Sequence, residues 1–292
     1  MKSTSRSFGF LILSFILWPL WAVAGEGIPN TEKAPNTTQP RPLIRAHAHN
    51  DYNHVRPLLD ALNHGFCSVE ADVFLVDGKL LVGHERTDLI AERTLEVLYL
   101  DPLLDRYREN GGQVFEGGPV FTLLVDFKSD GEETYVALDR LLVKYEEMLT
   151  SVQQGRVENK AVAVIISGDR AWETIAADST RYVAVDGRLT DLSSVRPSHL
   201  MPLVSDSWEL DFKWRGQGPM PDAERAKLRR IVREAHKKGR RVRFWATPDR
   251  PSPARPAVWS ELLAAGVDLV GTDDLDGLKT FLLSDEGQKC RR

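Results

Sequence analysis

The strongest constraint on the fold is a repeated alternation of short apolar runs with amphipathic segments from residue 43 onward. Eight apolar runs have the length of core strands, and several are separated by segments with the apolar spacing of helices. Strands that alternate with helices indicate a parallel sheet. Eight units in about 250 residues predict an α/β fold, a (β/α)8 TIM-type barrel forming a single domain over residues 43–292. A doubly wound sheet is the alternative, but no Gly-rich phosphate-binding turn follows the first strand.

The predicted elements are spaced evenly along the chain. Core strands are expected at residues 43–49, 66–76, 120–127, 161–166, 181–186, 199–205, 240–247 and 267–272. Helices are expected at residues 57–63, 132–149, 221–238, 258–265 and 277–284. Asp77-Gly78 is a strong hairpin-turn signal, which predicts that the second core strand pairs with an extra strand at residues 79–84.

The N-terminus has the pattern of a secretory signal. A positively charged start precedes apolar residues 8–20, and small residues follow at Ala22 and Ala24. The apolar run is shorter than the ~20 residues that a membrane-spanning helix needs. We therefore expect a signal peptide at residues 1–24, cleavage before Gly25 and an exported protein, periplasmic or secreted. Residues 25–42 are rich in Pro, Thr and Asn and are expected to form a flexible leader.

Composition excludes several classes of protein. The net charge is −4, so no basic excess is present to bind a nucleic-acid backbone. Two cysteines, Cys67 and Cys290, cannot build a disulfide framework or a Cys-rich zinc site. They could form one bridge, or Cys67 could be a buried thiol and Cys290 an unpaired one.

Polar residues gather where predicted strands end, which is the catalytic end of a (β/α)8 barrel. His47 and His49 close the first strand, two residues apart and therefore on one face. Glu70 and Asp72 share one face of the second strand in the same way. Asp126 ends the third core strand.

This arrangement of acids predicts a metal site. Two same-facing carboxylates in an apolar strand are costly to bury unpaired, and a hard cation with oxygen ligands removes that cost. Glu70, Asp72 and Asp126 could together hold one Mg²⁺ or Ca²⁺. Lys128 would face the same way as Asp126 and could hold a phosphate oxygen. His84 ends the hairpin strand near this site, and two histidines beside a phosphodiester suit general acid–base catalysis.

The order His…Glu-x-Asp…His…Asp-x-Lys resembles the glycerophosphodiester phosphodiesterase and phosphoinositide-phospholipase-C-like superfamily, which includes spider sphingomyelinase D. The nearer resemblance is to its branch named altered inheritance of mitochondria protein 6. The motifs that carry this resemblance are HAHNDY, RPLLDAL, SVEADV, LLVGH, DSW, RFWATPD and VDLVGTDDL. They extend from residue 43 to about residue 283, and their order and spacing are more specific than any one of them.

The resemblance implies a TIM barrel, a divalent cation and a phosphodiesterase. It maps the catalytic pair onto His47 and His84. The residues that it places around the metal and substrate are Glu70, Asp72 and Asp126 as ligands, Lys128 at the phosphate, and Trp245 as an aromatic wall.

The chain departs from the glycerophosphodiesterase pattern at several positions. His-Ala-His-Asn replaces His-Arg-Gly, His84 is followed by Glu85, and the third ligand is Asp126 rather than Glu. His47 is preferred as the catalytic partner because His47…Asn50 matches the His-x-x-Asn of sphingomyelinase D. His49 is the open alternative, and His49 and Asn50 are otherwise expected to bind substrate.

Three functions compete at this point. The first is a metal-dependent phosphodiesterase acting on a glycerophosphodiester or a phospholipid-like diester, with transient contact to a membrane surface where the substrate is a lipid. The second is a metal hydrolase of the amidohydrolase or PHP type, which would need further histidines, and only His199 and His236 are present downstream. The third is a non-catalytic relative that binds lipid headgroups or an envelope partner.

Overall fold

A computed structural model describes residues 39–289 of the chain. Twelve strands are present in this part. They are β1 (Leu43–Ala48), β2 (Phe66–Val76), β3 (Lys79–Val82), β4 (Phe121–Phe127), β5 (Ser151–Gln153), β6 (Arg156–Glu158), β7 (Val162–Gly168), β8 (Thr180–Arg181), β9 (Val183–Gly187), β10 (Leu203–Ser207), β11 (Arg241–Trp245) and β12 (Leu269–Thr272).

Eight of these strands close into a parallel barrel. The order is β1, β12, β11, β10, β9, β7, β4 and β2, and β1 pairs with both β12 and β2. The predicted (β/α)8 barrel is therefore confirmed. Strand β3 adds to β2 as an antiparallel neighbour, and β5, β6 and β8 form a separate small sheet. The predicted signal peptide, most of the predicted leader and Cys290 lie outside the described residues, while Cys67 is buried.

Helices cover the outside of the barrel. They are α1 (Leu59–His64), α2 (Asp101–Glu109), α3 (Gly131–Leu142), α4 (Trp172–Ala177), α5 (Trp208–Asp211), α6 (Asp222–Lys237), α7 (Ala254–Ala265), α8 (Leu275–Leu283) and α9 (Asp285–Lys289). Each predicted helix overlaps one of these, whereas α2, α4, α5 and α9 were not expected. No helix within residues 39–289 is long and apolar enough to cross a membrane.

Side chains along the strands point alternately outward, into the hydrophobic core under the helices, and inward, to the barrel axis. On β2, Val69, Ala71 and Val73 are fully buried in the hydrophobic core. The intervening Ser68, Glu70 and Asp72 face the barrel axis, as expected for a period of two. A small apolar layer of Leu124, Ile165, Leu203 and Leu269 fills the interior. Polar groups are thus held together toward one end of the barrel.

The β2–β3 hairpin carries the chain back to that end. Asp77 and Gly78 have φ values of 49° and 77°, the left-handed pair that a type I′ turn requires. The returning strand leads into Gly83, whose N–H donates to the carbonyl of Asp72 at 3.1 Å. The predicted hairpin is present, and it delivers His84 beside Asp72.

Candidate active site

The candidate residues meet at the carboxyl ends of the barrel strands. His47 lies on β1 and His49 follows it, Glu70 and Asp72 lie on β2, and His84 follows β3. Asp126 lies on β4, where its Cα pairs in register with that of Asp72. The sequence-based expectation that these side chains share one end of the barrel agrees with this placement.

His47 is fully buried, and both of its ring nitrogens have partners. Nδ1 lies 2.7 Å from Ser68 Oγ, and Nε2 lies 3.2 Å from Glu70 Oε2. Burial and the nearby Arg243 lower the pKa of His47 to about 3. His47 is therefore a neutral, fixed side chain near neutral pH.

His49 has a different environment. Its side chain is one-third exposed, and Nδ1 lies 2.7 Å from Asp273 Oδ1, with the Asn50 amide at 2.9 Å. Burial opposes the protonated form, but the hydrogen bond to Asp273 and the charge of Glu70 raise the pKa of His49 overall. Within residues 39–289 no protein group binds Nε2, so this nitrogen is open to a ligand.

His84 forms a second pair of this kind. Nδ1 lies 3.0 Å from Asp72 Oδ2 and 3.0 Å from the Tyr52 hydroxyl, and the side chain is about half exposed. If Nδ1 carries the proton that it shares with the carboxylate, Nε2 is left as an acceptor. No described residue contacts Nε2 of His84 by a hydrogen bond.

Tyr52 connects the two histidines. Its hydroxyl lies 2.8 Å from Asp72 Oδ2 and 2.7 Å from Asn50 Oδ1, in addition to the contact with His84. The Asn50 amide reaches His49 and Asp273. Asn50 has φ 48°, a left-handed conformation that Asn tolerates better than most residues. Two histidine–carboxylate pairs are thus joined by one chain of hydrogen bonds.

Lys128 neutralises two of the predicted metal ligands. Its Nζ lies 2.6 Å from Asp126 Oδ2 and 3.1 Å from Asp72 Oδ2. Burial opposes the charged amine, but Asp126 and Asp72 raise the pKa of Lys128 overall. Burial and the charge of Glu70 raise the pKa of Asp72, while Lys128 opposes that rise.

Glu70 has its own counter-ion. Arg243, on the opposite side of the interior, places Nη2 2.6 Å from Glu70 Oε2, and both side chains are nearly inaccessible to solvent. Burial alone would raise the pKa of Glu70, but Arg243 and the hydrogen bond from His47 hold it below its usual range. Glu70 is an ionised carboxylate at any physiological pH.

The three carboxylates can be tested as ligands for a divalent cation. As the side chains stand, residues 39–289 contain no group of three or more His, Cys, Asp or Glu arranged to hold a metal ion. However, Asp72 Oδ1 is buried with no hydrogen-bond partner among the described residues, which is costly unless a ligand supplies one. Adjacent oxygen donors at Asp72 and Asp126 suit a hard cation, whereas Glu70 is bound to Arg243. The carboxylates fit such an ion, and their assignment as ligands stays a prediction.

A cavity of about 220 Å³ opens beside His49. Arg243, Trp245 and Asp273 also line it, and Trp245 is 39% exposed at the end of β11. The predicted aromatic wall is therefore at the edge of this cavity, and its contact with a substrate stays a prediction.

The downstream histidines lie at the other end of the barrel. His199 precedes β10 and contacts Arg181 at 2.8 Å, and His236 near the end of α6 contacts Asp268 at 2.8 Å. Neither is near His47 or His49, so the amidohydrolase-like alternative gains no support.

Four site residues were absent from the sequence-based set. Tyr52, Ser68, Arg243 and Asp273 each bind one of the predicted residues directly. The sequence carried a signal for Tyr52 and Ser68, since Tyr52 ends the HAHNDY motif and Ser68 begins the SVEADV motif. Asp273 lies in VDLVGTDDL, but nothing distinguished it from Asp274. Arg243 is the first residue of RFWATPD, but it follows Arg240 and Arg241, and the sequence does not distinguish it from them.

Comparison with known proteins identifies the family. Residues 37–186 match the model of the AIM6-like phosphodiesterase domain, about half of the chain. The chain is 31% identical over 283 residues to an altered inheritance of mitochondria protein 6 homolog from Arthroderma benhamiae, covering 86% of this chain and 90% of the relative. The chain belongs to the AIM6-like phosphodiesterase family. This confirms the resemblance drawn from the motifs.

Two further sequence matches agree with this membership. Altered inheritance of mitochondria protein 6 from Eremothecium gossypii is 34% identical over 274 residues, covering 82% of this chain and 69% of the relative. Residues 241–276 of this AIM6-like chain also match the glycerophosphoryl diester phosphodiesterase family model. A solved glycerophosphodiester phosphodiesterase from Agrobacterium tumefaciens aligns with 83% of this chain and all of its own, with a TM-score of 0.47 and 16% identity.

Proposed function

We propose that this AIM6-like chain hydrolyses phosphodiesters at the carboxyl end of its barrel, with His49 and His84 as the general acid–base pair. The observation that carries the proposal is the pair of histidines that bind carboxylates through Nδ1 and leave Nε2 open. A carboxylate at Nδ1 fixes the tautomer and orientation of an imidazole and stabilises its protonated form.

In this mechanism each histidine performs one proton transfer. One Nε2 takes the proton from the attacking oxygen, and the other donates a proton to the leaving oxygen. Asp273 and Asp72 orient the two rings, and Tyr52 and Asn50 keep the pairs at a constant separation. Lys128, which already bridges two carboxylates, binds a phosphate oxygen as a point charge.

The geometry and the sequence pattern favour different histidines at the end of β1. The motif comparison prefers His47, whereas burial and a low pKa make His47 a poor proton carrier near neutral pH. His47 instead ties Ser68 to Glu70 inside the barrel. We therefore assign it a positioning role and place His49 in the acid–base pair.

A divalent cation, Mg²⁺ or Ca²⁺, is part of the proposal. Asp72 and Asp126 would hold it, with Glu70 as the third carboxylate, and the ion would supply Lewis-acid stabilisation of the phosphoryl charge. The orphaned Asp72 Oδ1 supports this assignment.

Exposed apolar side chains near the site support a choice of substrate class. Three apolar side chains are exposed on segments at the carboxyl end of the barrel, Val55 at 95%, Leu210 at 83% and Trp245 at 39%. Exposed apolar side chains on segments beside a charged site support a lipid diester presented at a membrane surface, or a glycerophosphodiester derived from one, as the substrate. Export through the predicted signal peptide would place the enzyme outside the cytoplasm.

Histidine substitutions test the acid–base pair. His49→Asn and His84→Asn should each lower turnover of a phosphodiester on the order of a hundred-fold or more. The double variant should lose little beyond the worse single variant, because the residues act as a unit. His47→Asn should lower stability more than turnover.

His236→Asn is the matched control, since it also removes a histidine paired with an aspartate, at the far end of the barrel. It should keep wild-type turnover. Near-normal turnover in His49→Asn, with severe loss in a well-folded His47→Asn, would reverse the choice between the two. Full activity in all of the variants would exclude the histidine mechanism.

A further inference from the structure

Arg243 is a buried cation inside the candidate site, and it opens the RFWATPD motif without a role assigned to it from the sequence. It faces the barrel interior from β11, and its side chain is only 4% exposed. Its Nε has no hydrogen-bond partner among the described residues. Buried arginines are uncommon, and they are tolerated when a nearby acid compensates their charge.

The acid that compensates Arg243 is Glu70. The Nη2–Oε2 distance is 2.6 Å, and the same Glu70 oxygen also contacts His47. Because a divalent cation at this site would draw on the charge of Glu70, the cation and Arg243 would compete for one carboxylate. Lys128 competes in the same way at Asp72 and Asp126, but its side chain is 27% exposed and can swing into solvent. The Arg243 side chain is enclosed in the barrel and cannot move into solvent.

Asp186 is a second acid near Arg243, because Arg243 pairs in register with Ser205 on β10 and the Ser205 hydroxyl contacts Asp186. Asp186 on β9 is almost completely buried and accepts a hydrogen bond from Ser205 at 2.8 Å and one from Arg188 at 3.0 Å. Burial raises the pKa of Asp186, and the charges of Arg188 and Arg243 oppose that rise. A guanidinium released from Glu70 would therefore still have a buried counter-ion within its electrostatic reach.

We propose that Arg243 is an internal counter-ion for Glu70. When a divalent cation binds, it displaces the Arg243 guanidinium from Glu70 toward Asp186. The affinity for the cation is then set by this competition rather than by the carboxylates alone. The inference uses the proposed function only for the assignment of Glu70 as a ligand, and its test measures binding rather than turnover.

The experiment compares cation binding in Arg243 variants of the full chain. Wild type, Arg243→Met and Arg243→Lys are titrated with Mg²⁺ and Ca²⁺ by calorimetry, and melting temperatures are recorded with chelator and with excess cation. Arg243→Met leaves Glu70 buried without a counter-ion, so it should melt below wild type in chelator. It should bind the cation on the order of tenfold or more tightly and show a larger cation-induced rise in melting temperature.

Arg243→Lys keeps the charge on a shorter side chain and should lie between wild type and Arg243→Met. Arg241→Met is the matched control, because Arg241 is two residues earlier on the same strand and bonds Thr122 rather than a carboxylate. It should lose stability but keep the wild-type cation affinity.

Two results would overturn the proposal. Equal cation affinity in wild type, Arg243→Met and Arg243→Lys would show that Arg243 does not compete. If neither wild type nor any variant binds the cation, no ion competes with Arg243 for Glu70. Should Arg243→Met be insoluble without cation, Arg243→Lys still decides between the outcomes. Failure to hydrolyse any diester would contradict the proposed function but would leave the binding result standing.

Discussion

Removing the Tyr52 hydroxyl tests whether Tyr52 positions active-site residues, because the ring that packs in the core is retained. Tyr52 is 3% exposed, and its hydroxyl lies within 3.0 Å of oxygen or nitrogen atoms of Asn50, Asp72 and His84. Tyr52→Phe keeps the ring and deletes these contacts. A hydrogen bond to a charged group contributes about 1.5–3 kcal/mol, so we expect a loss of this size in unfolding free energy.

Turnover by Tyr52→Phe should fall by more than its loss of unfolding free energy explains. Without the hydroxyl, His84 keeps only Asp72 as an orienting partner and the connection to Asn50 is lost. Loss of a residue that orients an active-site ligand typically costs about 10–100-fold in activity. Urea unfolding and initial rates on one phosphodiester, measured on the same preparation, give both quantities.

Tyr145→Phe is the control for the chemistry of the substitution. Tyr145 is equally buried, and its hydroxyl donates to Asp101 at 2.6 Å, away from the barrel mouth. It should lose similar stability and no turnover at a temperature where it is folded. If Tyr52→Phe loses stability but keeps wild-type turnover, Tyr52 does not position His84 and the hydrogen-bonded chain has no catalytic role.

Three further predictions concern pH and processing. Burial raises the pKa of Asp51 to about 7, so the native state binds its proton more tightly than the unfolded state and stability should fall as pH rises from about 4 to 7. Asp51→Asn, which can still accept from the Leu58 N–H, should flatten that slope in pH-dependent urea unfolding, and an unchanged slope would contradict the assignment. Asp273→Asn removes the negative charge that helps to raise the pKa of His49, so the limb of the pH–rate profile due to His49 should move to lower pH; an unmoved limb would exclude the pairing. Mass spectrometry of the exported protein should find Gly25 at the mature N-terminus, and an intact Met1 in membrane extracts would indicate an anchor instead.

Periodicity was sufficient to predict most of the barrel. A period of two along residues 66–76 predicted both the strand and the face that carries Glu70 and Asp72, because burial of one face is a local property of the sequence. The sixth core strand was placed at residues 199–205, but β10 runs from Leu203 to Ser207. Pro202 has no N–H for a ladder, so the strand begins after it.

The missed parts depended on contacts between distant segments. The Arg243–Glu70 pair joins residues far apart in sequence, and it exists only because β11 and β2 face each other across a closed barrel. The choice between His47 and His49 likewise depended on burial, since their spacing of two residues alone puts both on one face of an extended chain. Helix α2 lies in residues 85–119, where no strong periodic pattern led to an assignment.

Phosphorus NMR on a panel of phosphodiesters tests the central claim most directly. Wild type, His49→Asn, His84→Asn and His236→Asn are incubated with a glycerophosphodiester, a choline-headgroup lipid and an ethanolamine-headgroup lipid in vesicles, each with Mg²⁺, with Ca²⁺ and with chelator. The account predicts loss of the diester resonance for at least one substrate with wild type and His236→Asn, and strongly slowed loss with the other two variants. If every diester remains intact with wild-type protein that is folded and cation-loaded, the proposed hydrolysis is wrong.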